Sequence, residues 1–317
     1  MILSVEQAQK EKVLVILGPT ATGKSHCAIE IAKRYQGEII SGDSMLVYRD
    51  MNIGTAKPSE EELAAVPHHL VNILPPEASF SVVDFKEQAQ RLITEINGRG
   101  HLPIIAGGTG LYIKALLEDY AFNSVAENSE LRQQLTEEAE QQGPEALHAR
   151  LAALDAEAAQ RIHPNNVRRV VRALEAALSG EQVNQYGASE SPYNALVVGL
   201  EMERAALYER INKRVDLMLE AGLEQEVRSL LEQGVSPACQ SMQSIGYRQL
   251  VWYLQGSMDY GQAVDKLKQA TRNFAKRQIT WYKKMPYIQW LQLDAETNYA
   301  NVVGRICEML VEKGISL

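Results

Sequence analysis

The stretch 13–25, "VLVILGPTATGKS", decides the fold. Its first part, Val13 to Leu17, is an unbroken apolar run rich in β-branched residues. That is the pattern of a strand buried on both faces of a parallel sheet. Its second part matches G-x-x-x-x-G-K-[ST] at Gly18, Gly23, Lys24 and Ser25. Ser25 to Tyr35 then reads as a helix, with Ala28, Ile29, Ala32 and Tyr35 near one face. Strand, glycine loop and helix in this order make a phosphate cradle. Glycines let successive N–H groups turn inward, and the helix N-terminus adds partial positive charge. Lys24 adds a full charge, and the Ser25 hydroxyl can ligate Mg²⁺. These groups specify a diphosphate with its metal. They do not specify a base, so the rest of the chain must say whose phosphate is bound.

Further along, "EII" (38–40) reads as a second strand and "LPIIAGGTG" (102–110) as a third that ends in glycines. Between them "FSVVDFKEQAQRLITEINGRG" (80–100) reads as a helix stopping at Gly98 or Gly100. Alternating strands and helices predict an α/β parallel sheet with right-handed crossovers. From 116 to 195 strand signals vanish and four helices follow. They are "SELRQQLTEEAEQQG", "PEALHARLAALD", "AEAAQRIHP" and "NNVRRVVRALEAALSG". Ser129, Asp155 and Asn166 are expected N-caps, Pro144 a first-turn proline, and Gly143 and Gly180 terminators. A polar loop, "VNQYGASESPYN" (183–194), leads into a buried strand, "ALVVGL" (195–200). The remainder reads as mostly helical, with a last strand at "YIQWLQL" (287–293). The expected organisation is an α/β core formed by 1–115 and 196–317, interrupted by an all-helical insertion at 116–195.

The chain has 317 residues, 45% hydrophobic and 23% charged, with a formal net charge of −8. The acidic balance excludes a global positive field, so binding to a polyanion would need local basic patches. Cys27, Cys239 and Cys307 lie far apart, without metal-ligand or disulfide-framework spacing. "MILSVEQAQKEK" is too polar for a signal peptide, and no apolar run reaches the roughly 20 residues of a membrane span. A cytoplasmic monomer with no membrane partner is expected.

"SGDSMLVY" (41–48) puts Asp43 beyond the carboxyl end of the second strand, the edge at which open α/β sheets bind ligands. Asp43 is a turn-capping residue, a group that touches Mg²⁺ through water, or a general base. "GGTGLY" (107–112) brings Thr109 to the same edge, and "IGTAKP" (53–58) is a flexible loop nearby. The third strand ends without the metal-binding carboxylate of motor-type and switch-type NTPases, which weakens a plain ATPase reading. His68 and His69 diverge on regular backbone and lack a third ligand, so they read as surface or packing residues.

Two stretches are basic against the acidic background. In "RIHPNNVRRVVRALE", Arg168, Arg169 and Arg172 share one helical face, while Val167, Val170, Val171 and Leu174 share the other. In "QATRNFAKRQITWYKK" (269–284), five basic residues interleave with Phe274, Trp281 and Tyr282, and no acid is present. Each is either a solvated amphipathic face or a site for unpaired nucleotides, held by phosphate contacts and stacking. From the residues alone, a small-molecule or nucleoside kinase and a non-catalytic RNA-binding module also stay open.

Eight ordered motifs together resemble the tRNA dimethylallyltransferases, also called tRNA isopentenyltransferases. They are "GPTATGKS", "SGDSMLVYRDMNIGTAKP", "PHHLVNI", "GGTGLYIKALL", "RIHPNNVRRVVRALE", "RINKRVDLML" with "AGLEQEV", "QSIGYRQL" and "AKRQITWYKK". Ser25 stands where many members have Thr. The resemblance implies a P-loop kinase-like core with a helical insertion that grips the anticodon stem-loop. It implies transfer of a dimethylallyl group from dimethylallyl diphosphate to N6 of the adenosine 3′ to the anticodon, with Mg²⁺ required and pyrophosphate released. On that basis Asp43 is the base, and Lys24 and Arg214 neutralise the leaving group. Gly18, Pro19, Thr20, Ala21, Thr22, Gly23, Lys24 and Ser25 surround the diphosphate, and Ser25 also helps hold the metal. The motifs implied to touch tRNA supply Asp43, Ser44, Met45, Leu46 and Thr109. They also supply Arg132, Arg168, Arg169, Val170, Val171 and Arg172, then Gln243, Ser244, Ile245, Gly246, Tyr247 and Arg248. The last of them gives Lys276, Arg277, Gln278, Ile279, Thr280, Trp281, Tyr282 and Lys283.

Overall fold

The computed structural model describes residues 10–120, 128–180 and 191–315. The opening apolar run forms β1 (Lys12–Leu17). Val13, Val15 and Leu17 enter one hydrophobic core, Leu14 and Ile16 enter another, and all five are fully buried. A strand between two helical layers has no polar position to offer. After the glycine loop, α1 (Lys24–Arg34) buries Cys27, Ala28, Ile29, Ile31 and Ala32 against the second core.

The chain continues through β2 (Glu38–Ser41), α2 (Glu60–Ala65), β3 (His68–His69) and α3 (Val82–Gly98). It then forms β4 (Pro103–Gly107) and α4 (Gly110–Leu117). His68 and His69 are half-buried packing residues, as expected, and they form a two-residue edge strand paired with β2, which was not foreseen. β5 (Asn194–Met202) and β6 (Gln289–Leu293) complete a sheet of order β3-β2-β4-β1-β5-β6, parallel at every pairing. The chain moves one way from β1 to β2 and the other way from β4 to β5. The crevice above the carboxyl ends of β1 and β4 is therefore the expected ligand position. Around this sheet lie α9 (Arg204–Glu220), α10 (Leu223–Glu232), α11 (Tyr247–Leu254), α12 (Tyr260–Tyr282) and α13 (Tyr299–Glu312).

The chain divides into two compact units, Met1–Asp119 with Glu190–Leu317, and Tyr120–Ser189. The expected insertion began at 116, but Leu116 and Leu117 close α4 and are buried in the sheet unit's core. Asn194, also expected in the insertion, opens β5. The second unit holds α5 (Ser129–Gln142), α6 (Pro144–Leu154), α7 (Ala156–Arg161) and α8 (Val167–Leu178). Leu135, Leu147, Leu151, Ala158, Val170 and Leu174 form its own core. Asn128, not Ser129, caps α5 by accepting from Leu131 N at 3.0 Å. Asp155 caps α7 by accepting from Ala158 N at 2.8 Å. Asn166 precedes α8 without a side-chain cap bond. Most of the polar stretch 183–194 lies outside the described residues, as do residues 1–9 of the N-terminal segment. Among the described residues no helix is long and apolar enough to cross a membrane.

Candidate active site

Three loops meet at the carboxyl edge of the sheet, one each after β1, β2 and β4. Their closeness depends on glycine at the end of β4, because a Cβ on Gly107 would overlap the Gly42 backbone. Across that contact Thr109 N donates to Gly42 O at 3.2 Å, and Ser44 N donates to Thr109 Oγ1 at 3.2 Å. Thr109 thus ties the second loop to the third.

The first loop curls on itself. The Thr22 hydroxyl, fully buried, donates to Pro19 O at 2.8 Å, and Lys24 Nζ donates to the same carbonyl at 2.9 Å. The Thr22 side chain was expected to face the diphosphate, but it points into the loop and braces it. Gly23, the N-cap of α1, has φ 79, and a Cβ there would collide with the Tyr299 ring. Tyr299 OH donates to Thr22 O at 3.3 Å and receives a bond from Arg210 Nη1 at 2.8 Å. The first turn of α1 leaves the Ser25 side chain exposed.

Lys24, Asp43 and Arg214 form the electrostatic centre. Burial pushes the Lys24 ammonium down to about 8; the Arg214 charge adds to that shift, and Asp43 opposes it. Burial also pushes the Asp43 carboxyl up, against the Met45 and Leu46 amides and the charges of Lys24 and Arg214. Arg214 is lowered by burial and partly restored by Asp43. Asp43 thus favours the charged form of both cations, while burial and, at Lys24, the Arg214 charge oppose it; such a perturbed cluster marks a candidate site. Asp43 Oδ1 accepts from Met45 N at 2.8 Å, which fixes the carboxylate's orientation. Arg214 also lines a cleft of about 540 Å³ with Ile53, Lys57, Pro58, Leu217 and Met218.

Glu226 on α10 holds one wall of this cleft. Its Oε2 accepts from Asn52 N and Ile53 N, both at 2.8 Å, and its Oε1 from Gly54 N at 3.1 Å and from Tyr247 OH. The loop at 53–58 is therefore anchored rather than flexible. Sequence reading had no signal for this, because the carboxylate and the amides are 172–174 positions apart.

The residues expected to touch tRNA separate into two groups. Arg168, Arg169 and Arg172 are exposed on α8, and Lys276, Arg277, Thr280, Trp281 and Lys283 are exposed on or just after α12. Gln243 is exposed, while Ser244, Ile245, Arg248 and Ile279 are half-buried. Val170 and Val171 are core residues of the helical unit, so their side chains do not reach its surface. Gly246 and Tyr247 are buried, and Tyr247 packs on Gly54. Arg132 is held by Glu175, Nε at 2.9 Å and Nη2 at 2.8 Å. Gln278 and Tyr282 are buried under the phosphate loop. Helical periodicity explains the split, since a motif read as one string puts adjacent letters on opposite faces.

Fold and site define a phosphate-loop α/β protein with a lysine, an arginine and a half-buried carboxylate at the loop and with separate basic helix faces. Residues 46–285 match the family described as IPP transferase. A tRNA dimethylallyltransferase of Staphylococcus carnosus is 50% identical over 94% of this chain and 96% of its own length. One from Bacillus subtilis is 48% identical over 90% and 91%. Among solved structures, a tRNA isopentenylpyrophosphate transferase of Bacillus halodurans superimposes with a TM-score of 0.74. It is 43% identical and the likeness covers 96% of this chain and 97% of that one. A eukaryotic dimethylallyltransferase acting on tRNA superimposes with a TM-score of 0.77 at 29% identity, over 95% of this chain and 80% of that one. The chain belongs to the IPP transferase family and is a prenyltransferase of the tRNA-modifying class.

Proposed function

We propose that the enzyme transfers the dimethylallyl group of dimethylallyl diphosphate to N6 of the adenosine 3′ to a tRNA anticodon. The observation that carries the reading is the phosphate loop curled around Pro19 O beside the Met45-anchored Asp43, with Lys24 and Arg214 both acting electrostatically on that carboxyl. The adenosine N6 forms a bond to the allylic carbon as that carbon's bond to the diphosphate oxygen breaks. The electron pair leaves with pyrophosphate, and the N6 proton passes to Asp43. Lys24, Arg214 and the amides at the start of α1 stabilise the charge that develops on the leaving group. In a transition state with allylic cation character this is the larger contribution. A positioned base adds typically 10²–10⁴-fold.

The residues present fit Mg²⁺, which takes few protein ligands and relies on water and substrate phosphates. No cluster of three or more metal-binding side chains occurs among the described residues. The exposed Ser25 hydroxyl would share the ion with the diphosphate, and the ion would supply further charge neutralisation there. The exposed arginines of α8 and the basic, aromatic face of α12 supply phosphate and stacking contacts of the kind that unpaired RNA takes. Swinging one unpaired base out of its stack costs a few kcal/mol.

The test is incubation with unmodified tRNA, Mg²⁺ and radiolabelled dimethylallyl diphosphate, with ATP in a parallel tube. Label in tRNA and no ATP turnover is the expected result. ATP turnover without tRNA labelling would replace the proposal with a kinase.

A further inference from the structure

Helix α12 carries two kinds of residue under one run of sequence. Lys276, Arg277, Thr280 and Trp281 are exposed, whereas Gln278 and Tyr282, one turn apart, are 5% and 0% exposed. Gln278 Oε1 accepts from Thr20 N at 3.1 Å, and its Nε2 donates to Gly108 O at 2.8 Å. Tyr282 OH lies 2.9 Å from Gly108 O and 3.2 Å from Gly18 O, so its one hydroxyl proton serves both carbonyls. Two side chains therefore join the first turn of the phosphate loop to Gly108, just after β4. The approach is close, since a Cβ on Gly108 would overlap Gln278 Nε2.

We propose that Gln278 and Tyr282 are positioning residues that set the curvature of the loop at 18–20 and hence its affinity for diphosphate. Their partners are the carbonyls of Gly18 and Gly108 and the amide of Thr20, backbone groups that would otherwise be buried or free to turn. With Gly18 O held by Tyr282 and Pro19 O by Thr22 and Lys24, the first carbonyls of the loop already have partners, which leaves the N–H groups of its later residues to meet an anion. Gln278 adds a chemical check. Its amide must offer an acceptor to Thr20 and a donor to Gly108 at once, and no carboxylate can do both. The exposed neighbours on the same helix take no part in this latch, so the two functions of α12 separate by face.

The inference rests on the reading of Gly18–Ser25 as a diphosphate seat, and the experiment tests the two apart. Binding of pyrophosphate with Mg²⁺ is measured by calorimetry for the wild-type chain, Tyr282→Phe, Gln278→Glu and the pair Lys276→Ala/Lys283→Ala. The wild-type chain is expected to bind. Tyr282→Phe, which keeps the ring packing, should weaken pyrophosphate binding about 3–10-fold, the effect of one lost hydrogen bond, and Gln278→Glu more. Both should raise the donor KM more than they lower kcat and leave tRNA affinity within about twofold. The Lys276→Ala/Lys283→Ala pair should do the reverse. Pyrophosphate binding unchanged in both latch variants, whatever their melting temperature, would overturn the inference. No pyrophosphate binding by the wild-type chain would overturn the diphosphate seat itself and the inference with it.

Discussion

In the proposed reaction, Asp43 is the residue on which the chemistry turns. Asp43→Asn keeps the shape and the bond from Met45 N but removes the proton acceptor. Turnover should fall about 10²–10⁴-fold, the ordinary contribution of a general base, with tRNA affinity kept within a few-fold. Single-turnover kinetics beside a filter-binding assay checks it, and undiminished turnover would remove Asp43 as the base. The same cluster sets a pH profile. Asp43 must be ionised, and its pKa is raised, so the acidic limb of kcat/KM should lie above the ordinary carboxylate range. Lys24 must be charged, and it loses its proton near 8, so the alkaline limb should fall as pH rises through about 8. kcat/KM reports the free enzyme, in which these shifts apply. A profile flat from pH 7 to 10 would show that Lys24 is not required in its charged form.

At the level of elements, the exposed arginines of α8 belong to a helix whose opposite face is core. Val170 and Val171 bury their side chains there, a contribution of about 1.5–3 kcal/mol each, so only the arginine face can be altered without loss of fold. Arg168→Ala with Arg172→Ala should weaken tRNA binding and reduce its salt slope by about 1.4–1.8, the release of two counterions. Measuring affinity across a salt series gives the slope, and an unaltered slope would mean this face does not meet phosphate. These elements also mark how far sequence reading reaches. β1, β5 and the phosphate loop were legible because a doubly buried strand and a glycine turn leave unambiguous patterns. Asp43 was legible by its place after β2. Gln278 and Tyr282 were not. In the string "KRQITWYK" they look like members of the basic patch, and only the helix phase and a partner some 258–264 positions away reveal their role. β3 was missed because two residues carry no periodicity, and Glu226 because nothing local announces a carboxylate that will bind distant amides.

At the scale of the whole molecule, the parallel sheet has a working end and a supporting end. Glu38, at the start of β2, lies at the end away from the phosphate loop. Its carboxylate binds Arg99 through Nε at 3.0 Å and Nη2 at 2.9 Å, His69 Nε2 at 2.7 Å and His101 Nδ1 at 2.8 Å. Burial alone would raise its pKa, but the bonds from Arg99, His69 and His101 override burial and hold it at about 2. A carboxyl depressed on folding contributes stability above its unfolded value and loses it as pH falls. Here that loss runs from 4.5 down to about 2. Glu38→Gln should cost about 1–3 kcal/mol at neutral pH, read by urea denaturation, and flatten the acid limb of the stability curve. The donor KM should not move, since the change lies at the far end of the sheet, and a shifted KM would show that the two ends communicate.

The latch and the Tyr299 contact also order events in time. The proposed diphosphate loop is encoded well before Arg210, Gln278, Tyr282 and Tyr299, which fix its shape. Thr22 and Tyr299 are 277 positions apart, about 14–55 s of synthesis at 5–20 residues per second. A ribosome-bound chain therefore carries the complete phosphate motif long before it carries the seat. A chain cut short before α13 has the motif without the contact at Gly23 and Thr22. Truncated products are thus expected to hold the donor weakly and not to compete for it with finished enzyme.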